Sequence, residues 1–128
     1  MRKEEYNEIS KQILDASITV HKEMGPGLLE MVYELSLEKE LQLRNIIVER
    51  QIPVPLFYKG YDLRKEYRID LLVEKEIIIE IKSVNVLLPV HEAQIISYLK
   101  LTDKKLGFLI NFNVQLLKQG FRRFVNGF

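Results

Sequence analysis

The sequence predicts one α/β or α+β domain over residues 1–128, in the order helix, helix, three strands, helix, strand. Three observations carry this. The 128 residues are 47% hydrophobic, enough for one compact core and too few for two ordinary domains. Apolar residues recur with a helical period near the N-terminus, give way to β-branched runs in the middle, and return to helical spacing before a last buried run. No internal repeat, low-complexity tract or linker interrupts that order.

Tyr6, Ile9, Ile13, Ala16, Val20 and Met24 recur at steps of three and four, and Gly25-Pro26-Gly27 stops the pattern, so the first helix runs from about Tyr6 to Met24. Leu28 to about Arg44 is helical again, with Asn45 at its end. Its apolar residues fall on two sides, Leu29, Tyr33, Leu37 and Leu41 against Leu28, Val32, Leu35 and Leu43. A helix of that kind is expected to be sandwiched, here between the first helix and a sheet. Ile47 to Tyr58 has β composition, with Pro53 and Pro55 marking an edge or bulged strand. Lys59-Gly60 is a tight turn. Leu63 to Val73 and Ile77 to Ile81 form a hairpin around Glu74-Lys75-Glu76. Pro89 precedes a helix from His91 to about Leu101, Leu106 to Phe112 is a buried strand, and a last short element covers Phe121 to Val125.

The chain has no cysteine, which excludes disulfides, thiolate catalysis and sulfur-ligated metal sites and fits a reducing interior. The opening MRKEEYNEIS is polar, and no apolar run approaches the roughly 20 residues a spanning helix needs. Cytoplasm is the expected location, without membrane insertion. The net charge of +1 is unevenly spread: no acid follows Asp103, while Lys104, Lys105, Lys118, Arg122 and Arg123 do. A cationic end beside an acidic body is compatible with phosphate binding and equally with a solvated surface.

The hairpin YRIDLLVEKEIIIEIKS places charge inside strands. Alternation puts Glu80 and Lys82 on one face with Ile78, and Ile77, Ile79 and Ile81 on the other. If Glu74, Lys75 and Glu76 form a three-residue loop, Val73 pairs with Ile77 and Asp70 lies opposite Glu80, with Cβ atoms about 5 Å apart. Two carboxylates so close raise each other's pKa unless a positive group intervenes. A divalent cation such as Mg²⁺ supplies one, and Lys82 alone is the other candidate. An ion-paired edge hairpin would look the same. Glu30 projects onto the side of Tyr33, Leu37 and Leu41, where a carboxylate needs a partner. His91, Gln94 and Tyr98 share one helix side beside Ile95, and His21 is left as helix surface or core.

Gly27-Leu28-Leu29-Glu30-Met31-Val32-Tyr33 fits G-x-x-E-x-x-Y, and in this order it precedes D-x9-E-x-K (Asp70, Glu80, Lys82) and Q-x-x-x-Y (Gln94, Tyr98). The chain resembles the GxxExxY proteins, a branch of the PD-(D/E)xK nuclease superfamily, from the first helix to about Arg123. The resemblance implies a central mixed β-sheet flanked by helices, with the hairpin carrying the active site. It implies Asp70 and Glu80 as metal ligands, the Ile81 carbonyl as a further ligand, Lys82 as the catalytic lysine and Glu30 as an additional acid reaching the metal. Gln94 and Tyr98 match the strand-positioning element of RecB-type nucleases. Tyr33, His91, Arg122 and Arg123 join them as expected nucleic-acid contacts, although the GFRRFV end could equally cap the core. Arg68-Ile69 stands where the superfamily name expects proline.

The expected function is therefore a Mg²⁺-dependent nuclease, with Mn²⁺ as the alternative ion, acting on DNA ahead of RNA. Metal-activated water would attack phosphorus while Lys82 stabilises the developing charge. So small a domain has little surface for a long duplex, so limited sequence specificity, or help from a second copy or a protein partner, is expected. The alternatives are a non-catalytic module that keeps the fold and a metal-free protein with an ion-paired hairpin.

Overall fold

In the computed structural model, which describes residues 1–128, the N-terminal apolar stripe folds as α1 (Lys3–Met24) and stops where Gly25 takes a positive φ of 73°. Helix α2 (Glu30–Leu43) follows. The middle of the chain forms β1 (Val48–Tyr58), β2 (Tyr61–Val73) and β3 (Ile77–Lys82). Helix α3 (Pro89–Thr102) starts with proline in its first turn, where the missing N–H costs nothing. Strand β4 (Leu106–Asn111), a single 3-10 turn (Leu117–Gly120) and β5 (Phe121–Val125) complete the chain.

The strands make one five-stranded sheet in the order β1-β2-β3-β4-β5. Neighbours are antiparallel except β3 and β4, which run parallel. A parallel pair needs a crossover, and α3 provides it. Helices α1 and α2 cover one face, where Tyr6, Ile13, Leu37, Ile79, Phe108 and Ile110 share a core. Helix α3 covers the other, where Ile95 and Leu99 meet Leu72, Ile78 and Leu109. Strands β3 and β4 are covered on both faces, which is why IIIEI and LGFLI read as nearly unbroken apolar runs. The tight return from β4 to β5 requires Gly120, because a Cβ there would overlap the Asn111 carbonyl oxygen.

The hairpin loop is as expected, with Val73 paired to Ile77 and Glu74 and Lys75 both in the left-handed region. The expected sandwiching of the second helix needs correction. Tyr33, Leu37 and Leu41 are buried, whereas Leu28, Leu35 and Leu43 are exposed. Helix α1 lies beside α2 on the same face of the sheet, so the outer side of α2 meets solvent. No helix is long and apolar enough to cross a membrane.

Candidate active site

Strand β2 is 13 residues long and β3 only six, and their pairing is confined to Leu71–Val73 against Ile77–Ile79. Beyond Leu71 the strands part. Ile69 packs on the α3 side and Leu71, two residues on, packs on the α1–α2 side. Strict alternation would give them the same face, so the chain twists at Asp70 and its carboxylate drops into the fork. The neighbouring strand is distorted at the same level, where Gln51 has a φ of 57°. Across the fork the groups interlock: Asp70 Oδ2 accepts from the Ile81 amide at 2.8 Å, and Glu80 Oε2 accepts from the Asp70 amide at 2.9 Å.

A further acid reaches this fork from α2. Glu34, 4% exposed, accepts from Arg50 at 2.6 Å and from Gln51 at 2.8 Å. The same Gln51 amide lies 3.5 Å from Asp70 Oδ1, the limit of a hydrogen bond. Glu34 thereby adjoins Asp70 while its own charge is balanced by Arg50. Periodicity did not single it out, although an arginine and a glutamine side by side on the facing strand were the available signal.

Burial raises the Asp70 carboxyl to about 6; the Ile81 amide pulls it down and the Glu34 charge pushes it up. Glu80, 6% exposed, is raised further, to about 9, by burial and then by the Asp70 charge, against the pull of the Asp70 amide and Lys82. Lys82 is half-buried and lowers both carboxyls without outweighing their burial. Tyr98 is the other group at the fork. Burial first, then the charges of Glu80 and Asp70, lift its hydroxyl to about 12, and its ring meets Tyr67 edge-on at 5.2 Å.

None of the other expected site residues hydrogen-bonds to Asp70 or Glu80. Glu30 is exposed in the first turn of α2 rather than on the buried side with Tyr33, and the acid beside Asp70 is Glu34, one turn later. Tyr33 is fully buried and stacks on Phe112 at 4.6 Å. Its hydroxyl donates to the Gly25 carbonyl and accepts from the Leu28 amide, so it ties the glycine loop to the core and offers no face to a ligand. His91 uses Nδ1 to accept the Leu88 amide at 3.0 Å, closing the first turn of α3. Gln94 is exposed. Arg122 and Arg123 point to opposite faces of the sheet, as neighbours in a strand must. Arg122 is 4.0 Å from Glu92 of α3, and Arg123 lies over the Phe128 ring.

No three Asp, Glu or His side chains are grouped so as to enclose a metal ion by themselves. The donor set nonetheless fits a hard dication. Mg²⁺ typically takes one or two carboxylates and completes its shell with water and phosphate oxygens. Glu80 Oε1 has no protein partner, and no fully buried side-chain oxygen is left unpartnered, so that oxygen faces solvent. Two carboxyls that resist ionising together are what a dication would relieve.

The five-stranded mixed sheet with helices on both faces has the architecture of a nuclease fold. The family model of the PD-(D/E)XK nuclease superfamily matches residues 7–124, and the chain belongs to that superfamily. Nucleases of this superfamily generally use divalent metals and act on nucleic acid. No curated protein and no solved structure gave a match to the chain.

Proposed function

We propose that the protein is a Mg²⁺-dependent nuclease of the GxxExxY branch, with Mn²⁺ as an effective substitute, that hydrolyses phosphodiester bonds of DNA ahead of RNA. The observation that carries this reading is the fork itself: a buried carboxyl, Glu80, and a half-buried one, Asp70, from separate strands, each raised by desolvation and by a neighbouring charge, beside a lysine with no carboxylate partner of its own. Gly27, Glu30 and Tyr33 support the branch.

Asp70 and Glu80 would hold the ion. The Ile81 amide points at Asp70, and since a strand residue turns its N–H and C=O toward the same neighbour, the Ile81 carbonyl is available on that side. The bound ion would supply a nucleophilic hydroxide and neutralise phosphate charge. Lys82 would orient the attacking water and stabilise charge on the phosphoryl oxygens. Glu34, sharing the Gln51 amide with Asp70, would set the charge of that first ligand. Tyr98, with its hydroxyl held protonated near the carboxyls, would donate to the strand backbone, and exposed Gln94 lies one turn earlier on α3.

The test compares wild type with Lys82→Ala and Asp70→Ala on linear and circular, single- and double-stranded DNA and on RNA, in Mg²⁺, Mn²⁺ or chelator. Wild type should cleave at least one DNA substrate, and each substitution or chelation should abolish it. Cleavage that survives Asp70→Ala would assign the activity to a different site or a contaminant.

A further inference from the structure

The β1–β2 ribbon outruns the sheet. Because β3 pairs only with Leu71–Val73, the run from Tyr61 to Arg68 has β1 as its single neighbour, and every residue in it is exposed. At about 3.4 Å per residue those residues extend roughly 27 Å from the fork. A free two-stranded ribbon is marginally stable in water, and this one also exposes Phe57, Tyr58 and Tyr61 at its tip, Tyr61 at 75%. Cations are interleaved with the rings. Arg68 pairs with Glu66 at 3.2 Å, whereas Lys59, Arg64 and Lys65 pair with no carboxylate, and Lys59 lies over the Tyr58 ring. Asp62 is the other acid here, and it accepts the Arg64 amide at 2.8 Å.

The ribbon is badly formed for pairing with a second copy. Pro53 and Pro55 have no N–H to offer along β1, the register shifts between Pro55 and Phe57, and Arg64 stands in a left-handed conformation at the irregularity. Like-charged tips would also repel each other. A polyanion meets neither obstacle. The base of the ribbon is fixed to the fork, since Tyr67 packs on Tyr98 and Asp70 is the next-but-two residue. A two-stranded ribbon fits the major groove of a duplex, about 12 Å wide.

We propose that the ribbon tip is a duplex-gripping arm: Lys59, Arg64 and Lys65 contact phosphates flanking the bond held at the fork, while Phe57, Tyr58 and Tyr61 pack into the groove. This rests on the reading of the substrate as nucleic acid. It makes the preferred substrate double-stranded and places the footprint to one side of the cut.

The test is fluorescence anisotropy on uncut DNA in EDTA, with a labelled duplex of about 24 base pairs and a hairpin stem of about 8, the span of the free ribbon at 3.4 Å per base pair. One variant is Lys59→Asn/Arg64→Asn/Lys65→Gln, asparagine being tolerant of the left-handed backbone at its two positions. The other is Tyr58→Ser/Tyr61→Ser. The charge variant should bind the long duplex at least about tenfold more weakly, and its slope of log Kd against log salt should fall by roughly 3. The tyrosine variant should weaken binding about tenfold with the slope kept. In both, the advantage of the long duplex over the short stem should vanish, with circular dichroism unchanged. Wild type that binds no duplex, variants that bind like wild type, or sedimentation showing affinity lost only together with a dimer would overturn the arm. Gripping without cleavage would refute the hydrolase reading alone, and cleavage indifferent to both variants would refute the arm alone.

Discussion

Replacing Glu80 by glutamine should stabilise the metal-free protein, and only at the alkaline end. The Glu80 carboxyl is raised from 4.5 to about 9 in the folded protein. Between those values the folded chain holds a proton that the unfolded chain has released, so stability is full below about pH 4.5 and is lost as pH rises. Each proton so held contributes a slope of at most about 1.4 kcal/mol per pH unit. With an effective dielectric near 20 rather than that of a dry interior, the loss from pH 5 to 8 is about 2 kcal/mol. The substituted side-chain amide keeps an oxygen for the Asp70 N–H and carries no charge, so this loss disappears. Urea denaturation in EDTA should find Glu80→Gln close to wild type at pH 5 and about 2 kcal/mol more stable at pH 8. Groups such as Glu5, lowered by Arg2, are common to both proteins and cancel in the difference. Mg²⁺ at a hundred times its Kd should restore about 2.7 kcal/mol to wild type at pH 8 and little to the variant. A difference between the two proteins that is the same at pH 5 and pH 8 would refute the reasoning.

Glu34→Ala leaves Arg50, 31% exposed in its side chain, only the longer 3.9 Å contact with Glu38 and should lower stability in urea denaturation, with more of that loss recovered in Glu34→Ala/Arg50→Ala than addition of the single effects allows. Tyr33→Phe removes a donor to the Gly25 carbonyl and an acceptor for the Leu28 amide. It should lower stability by about 1–2 kcal/mol and leave anisotropy-measured DNA affinity unchanged, because the ring touches nothing outside the core; a loss of affinity with full stability would return Tyr33 to the nucleic-acid surface.

The sequence made the hairpin legible because its logic is local. A three-residue loop fixes the register, the register sets Asp70 against Glu80, and alternation puts Lys82 on the face of Glu80. Glu30 and Glu34 were not separable that way. On a helical wheel Glu30 falls inside the stripe of Tyr33, Leu37 and Leu41 and Glu34 at its margin, yet Glu30 sits in the first turn of α2, where that stripe has no core to pack against. Periodicity reports the face of a helix and not where the sheet beneath it ends. The two-sided pattern of α2 failed for the same reason, since Leu35 and Leu43 need a covering layer that the chain lacks. The free ribbon depended on β3 being six residues long against 13 in β2, a mismatch of lengths visible only once pairing was known. Arg122 and Arg123 are separable by alternation alone, as adjacent strand residues face apart.

The central claim is that Asp70 and Glu80 together require a dication. Calorimetric titration of Mn²⁺ into the metal-free protein near pH 7, repeated in buffers of different ionisation enthalpy, tests it most directly. The account predicts saturable binding to wild type with release of about one proton, and loss of that binding in Asp70→Asn. Absence of saturable heat in wild type, or the same binding in Asp70→Asn, would contradict it.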